Sequence, residues 1–175
     1  MIANHPEVLI SDNIVIEKTK NDDLPPFVGC FIADKDGKML LKFEIFSGAL
    51  EFYLKRPHEE LFDLDLIPMF LSAFERFSEQ LNFESMSGLN LTSNNLKMHS
   101  FFGFNKFTIT FFVNPRIDMS LFEKVMKNYF DNLFEENKNI FENFYKRGLI
   151  LTISRLESEG SQWLNKLNKN LVVLK

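Results

Sequence analysis

Ile67, Phe70, Phe74, Phe77 and Leu81 recur at helical spacing, with Leu71 and Ala73 widening the stripe, while Glu75, Arg76, Ser78, Glu79 and Gln80 fall elsewhere. The spacing predicts one amphipathic helix over residues 67–81, with Phe74 on a face that needs a sheet to lie on. Pro68 fits the first turn, where a missing N–H costs nothing, and Asp63 or Asp65 is placed to cap it. The sheet is predicted on either side of this helix. Residues 27–33 are apolar throughout, as in a strand covered on both faces, and 39–45 alternate with Lys42 and Glu44. Between them Asp34, Lys35, Asp36 and Gly37 form a turn, which makes a hairpin with Gly37 at a positive φ. Asp34 and Asp36 also have calcium-ligand spacing. However, an EF-hand loop needs glycine at its sixth position and glutamate at its twelfth, and here Gly37 is fourth and Ile45 twelfth.

Three further strands are predicted at 84–91, 96–102 and 106–113, separated by Ser93-Asn94-Asn95 and Gly103-Phe104-Asn105. In the last of them Phe107, Ile109, Phe111 and Val113 point one way and Thr108, Thr110 and Phe112 the other, so both faces are covered. Asp118 or Ser120 can cap a long helix whose wide apolar face comprises Leu121, Phe122, Val125, Met126, Tyr129, Phe130, Leu133 and Phe134. Asn137-Lys138-Asn139 interrupts it, and Ile140, Phe141, Phe144 and Tyr145 carry it on to a stop at Gly148. Residues 149–156 suit either helix or strand. A short last helix with Trp163, Leu164 and Leu167 is expected behind a break at Gly160. The leader 1–26 ends in Pro25-Pro26 and is read as an extension that lays a strand or a turn of helix on a domain spanning 27–175.

Composition narrows the function classes. A chain of 175 residues, 45% hydrophobic, is the size of one domain with a sizeable core. A net charge of -4 gives no general basic surface, so nucleic acid is not expected as a partner. The single cysteine, Cys30, excludes an internal disulfide, and no signal-peptide pattern or run of roughly 20 apolar residues is present, so a cytoplasmic protein without a transmembrane segment is expected. The 21 phenylalanines fit the base composition of an AT-rich genome as readily as a function.

Candidate chemistry is sparse. His58, Glu59, Glu60, Asp63 and Asp65 match no metal-ligand spacing and read as a solvated acidic connection. His99 lies mid-strand with no cysteine or carboxylate beside it, Cys30 lies in an apolar strand, and no glycine-rich phosphate loop follows a strand. No catalytic residue, cofactor or metal is therefore expected.

The order of elements, hairpin, helix, three-stranded meander and helices, resembles the longin domains and the related roadblock domains. The resemblance rests on the hairpin from Phe27 through Gly37 to Phe43, the helix over 67–81, and the strand closing at Phe111-Phe112-Val113-Asn114-Pro115. It is similar to the divergent longin-like proteins of Asgard archaea. The resemblance implies an α+β fold of β-β-α-β-β-β-α-α order. Its five-stranded antiparallel sheet would carry one helix on one face and the C-terminal helices on the other. The 26-residue leader departs from the pattern, and no heptad coiled coil or membrane anchor follows, so the module is implied rather than a SNARE. Such modules are protein-interaction platforms for trafficking. The resemblance thus implies a homo- or heterodimer that binds a small GTPase or another longin or roadblock protein, acting in the cytoplasm or at membranes through its partners. Met69, Ser72, Arg76, Met86 and Leu89 are the expected partner-binding residues, on the exposed side of the helix and the neighbouring strand. A charge at Ser72 is expected to weaken pairing and spare the fold. The alternative is a sensor of PAS or GAF type, with a small molecule held in a phenylalanine-lined internal cavity.

Overall fold

A computed structural model describes residues 7–11, 14–18, 24–55, 62–81, 86–93, 95–104, 106–144, 150–171 and 173–174. Strands β1 (Glu7–Ser11) and β2 (Ile14–Lys18) pair antiparallel, and β8 (Val173–Leu174) joins β1, giving a small sheet in the order β2-β1-β8. The leader thus contributes two strands, not one, and the chain's last strand returns to them.

The main sheet is antiparallel, in the order β4-β3-β7-β6-β5. It comprises β3 (Phe27–Asp34), β4 (Met39–Glu44), β5 (Gly88–Thr92), β6 (Lys97–Phe104) and β7 (Phe107–Val113). The fold is α+β, with this five-stranded sheet between helices. Strand β3 lies inside the sheet, between β4 and β7, and is buried along nearly its whole length, as its uninterrupted apolar run requires. In β7, Ile109, Phe111 and Val113 face one core and Phe112 the other, following the two-residue alternation. Buried Thr110 satisfies its hydroxyl against Ser100 Oγ at 2.9 Å.

Two layers cover the sheet. On one face lie the short α1 (Ala49–Leu54), which the sequence pattern did not announce, and α2 (Leu66–Gln80). On the other lie a 3-10 turn (Met119–Leu121), α3 (Glu123–Glu136), α4 (Lys138–Glu142) and α5 (Ile150–Asn170). Asp118 caps the 3-10 turn through Ser120 rather than the long helix, whose N-cap position is Phe122 without a side-chain cap, and Asn137 separates α3 from α4. Asp65 occupies the cap position of α2 without a side-chain bond to the helix; Asp63 accepts the Asp65 N–H instead.

Two expectations fail. Gly160 does not break the last helix: α5 runs through it without interruption, and the glycine is buried beneath Phe43. A Cβ there would overlap the Phe43 ring, so the missing side chain is what lets α5 close on β4. Phe74 is not a full core residue either. It is half-buried and stacks on exposed Phe70, with centroids 6.1 Å apart, while Leu71 is the helix's fully buried side chain. The helix is rotated because its other flank is held by the β3–β4 turn. Gly37, at φ 80°, approaches Met69 so closely that a Cβ would stand 2.7 Å from Met69 Cα. The expected stop at Gly148 and the acidic residues from His58 to Glu60 lie outside the described residues.

Candidate functional site

The β3–β4 turn is a clamp on α2 rather than a cation loop. Asp34 Oδ1 accepts the N–H groups of Asp36 and Lys38, the side-chain mimicry of a turn that aspartate favours. Ser72 Oγ donates to Lys35 O at 2.7 Å, and Arg76 pairs with Asp36 at 2.6 Å. That ion pair is exposed on both sides and contributes little by itself; the buried Ser72 bond fixes the contact.

With Ser72 and Arg76 turned to the clamp, the roughly 100° step of a helix puts Leu66, Phe70, Phe77 and Leu81 on the opposite flank. All four are more than half exposed. The helix's charged residues, Glu75, Arg76 and Glu79, fall on the clamp side, so this apolar flank carries no charge. Burial, and then the Glu79 carboxylate, push Glu75 above the usual carboxylate range.

Below the start of α2, Leu54, Ile67, Leu91, Leu96, Met98 and Phe112 line an open groove of about 310 Å3, with Thr92 and Ser93 at its rim. The groove brings half-buried Ile67 of α2 and Leu91 of β5 together, so the start of α2 and the outer strand meet there. Strand β5 ends the sheet. The bonds Phe102 N–H to Ser87 O and Ser93 N–H to Leu96 O set its alternation, which turns the main-chain groups of Gly88, Asn90 and Thr92 away from β6. Among the described residues nothing pairs with them.

The opposite edge differs. Strand β4 also ends the sheet, but its outward amides are occupied by α5: Lys42 N–H donates to Glu157 Oε1 and Glu44 N–H to Ser161 Oγ, each at 3.0 Å. Glu44 in turn accepts the N–H groups of Gly48 and Leu50, capping α1. A second open cleft, about 500 Å3 and polar, runs along this edge between Lys42, Glu44, Phe46, Glu157, Ser161 and Asn165.

No protein-family model matches the chain, and no curated protein matches it either.

Of the residues expected to bind a partner, Met69 and Arg76 are exposed, Met86 and Leu89 are half-buried against the core beneath α2, and Ser72 is buried. Ser72 therefore does not belong to an exposed side, because its hydroxyl anchors the turn. Phe70, Phe77 and Leu81 of the exposed apolar flank belong to the stripe that the spacing predicts as core, whereas Ile67, Leu71 and Phe74 of that stripe do pack inward. His99 is half-buried, with Nδ1 bonded to Asn90 Oδ1 across the β5–β6 pair. Burial and then Lys97 lower its pKa to about 4, so the imidazole is neutral near pH 7. Cys30 is fully buried and burial pushes its thiol up, the reverse of what a nucleophilic cysteine needs. Among the described residues no three His, Cys, Asp or Glu side chains converge, and no helix is long and apolar enough to cross a membrane.

Proposed function

We propose that this chain is a non-catalytic protein-interaction module of longin or roadblock type, which pairs with a second such module and serves small GTPases or membrane-traffic components. One observation carries the reading: α2 carries an uncharged apolar flank, and its first turn shares a groove with β5, the edge strand whose outward main-chain groups have no partner among the described residues. Apolar side chains left in water on a packed domain mark a surface that gains by being covered, and an unpaired strand adds main-chain hydrogen bonds to the same contact. The groove under Ile67 and Leu91 would take an apolar side chain from the partner. The resemblance of element order supplies the class of partner, and the surface itself supplies the mode.

Two measurements test this. Light-scattering mass should show a pair in the wild-type chain, and Phe77→Asp or Thr92→Pro should reduce it to a monomer. Thr92 turns its N–H outward, so proline there removes an edge donor without cutting the β5–β6 ladder. Capture of a small GTPase on the immobilised protein, with and without a non-hydrolysable GTP analogue, tests the partner class. A wild-type monomer at high concentration that captures no GTPase overturns the proposal.

A further inference from the structure

Helix α5 carries two adjoining stripes. Leu156, Gly160, Leu164 and Leu167 are buried against the sheet, and one residue further on, Glu157, Ser161, Asn165 and Asn168 face strand backbone. Asn165 Nδ2 donates to Ile45 O at 3.0 Å, and Asn168 both accepts from Phe27 N–H at 2.9 Å and donates to Phe27 O at 2.8 Å. The match has a metric basis. Four residues of helix rise roughly 6 Å and two residues of strand roughly 6.7 Å, so the two successive turns carrying Glu157 and Ser161 meet the successive outward amides of Lys42 and Glu44.

We infer that α5 acts as a surrogate edge strand, closing β4 to strand addition so that the sheet grows only from β5 and assembly stops at a pair. A sheet with two open edges would let each added copy offer a further edge, the geometry of a fibre, whereas one closed edge gives a finite assembly. The copy number rests on the pairing proposed above; the closure of β4 does not.

The test removes the ladder and keeps the core stripe. In Glu157→Ala/Ser161→Ala, NMR amide exchange at Lys42 and Glu44 should quicken roughly five- to tenfold, while the inward amides of Leu41 and Phe43 keep their rates. The variant's mass should also climb with concentration beyond the wild-type value. Glu157→Gln, which retains an acceptor, should keep the Lys42 amide protected, and Ser161→Ala alone should release only the Glu44 amide. Unchanged exchange in the double variant overturns the closure. Faster exchange with a mass that stays at the wild-type value overturns the limit on assembly. If Thr92→Pro leaves the wild-type mass unaltered, the pairing proposal fails, and the amide exchange still judges the closure on its own.

Discussion

The two helical layers treat the same sheet differently. Against α3 and α5 the aromatic rings interlock: Phe43 stacks on Phe130 at 6.3 Å, Phe130 meets Phe111 edge-on at 5.9 Å, and Tyr129 lies flat on Trp163 at 3.9 Å. Under α2, Leu71 alone among the helix's large apolar side chains is fully buried, and Phe70 and Phe77 stay in solvent. Both helices show the same amphipathic spacing. What separates them is the neighbour: α3 lies against a second helix and the sheet, whereas α2 is pulled to one side by the β3–β4 turn. An apolar stripe states that a surface seeks cover, not whether its own chain provides it.

That contrast can be broken by substitution. Phe130→Ala should cost about 3 to 5 kcal/mol, the loss expected when a buried ring leaves a cavity, read as a lower denaturant midpoint at constant slope. Gly160→Ala should cost about 1 to 3 kcal/mol despite alanine's better helix propensity, because the new methyl meets the immobile Phe43 ring. A neutral or stabilising result would show that α5 can shift away from β4. On the other layer, Ser72→Glu should cost about 1 to 3 kcal/mol by removing the shorter of the two bonds to Lys35 O and burying a charge. That outcome would separate a clamp from an exposed face.

His99 sharpens the comparison at the open edge. Its pKa is about 4 when folded against roughly 6.5 when unfolded, so the unfolded chain binds the extra proton between those values. Stability should be full above about pH 6.5 and decline as the pH falls towards 4, and His99→Gln should flatten that part of the profile in urea titrations. The smallest expected effect is that of Phe77→Ser: within about 0.5 kcal/mol on stability, since the ring is exposed, while it weakens pairing in the same mass measurement that tests the proposal.

The sequence by itself determined the main-sheet strands, α2 and α3, and their order. An unbroken apolar run located β3 and alternation located β4 and β7, the Asp34–Gly37 residues announced the turn, and helical spacing found α2 and α3, because these signals are local and each element's burial repeats along it. It misplaced part of the surface, since Phe70, Phe77 and Leu81 of the α2 core stripe are left in solvent while Ile67, Leu71 and Phe74 pack inward. Only the tertiary structure decided which flank of α2 is covered, because that depends on Lys35 and Asp36, some forty positions away. The same holds for α5. Gly160 looks like a helix break until Phe43 is seen beneath it, and Glu157, Ser161, Asn165 and Asn168 read as ordinary polar positions until the β4 edge, Ile45 and the start of β3 lie alongside. Their regular spacing one residue past the buried stripe was visible in the chain. Its meaning was not, because a main-chain amide needing an acceptor is a property of where a strand ends in a sheet, and no residue letter encodes that.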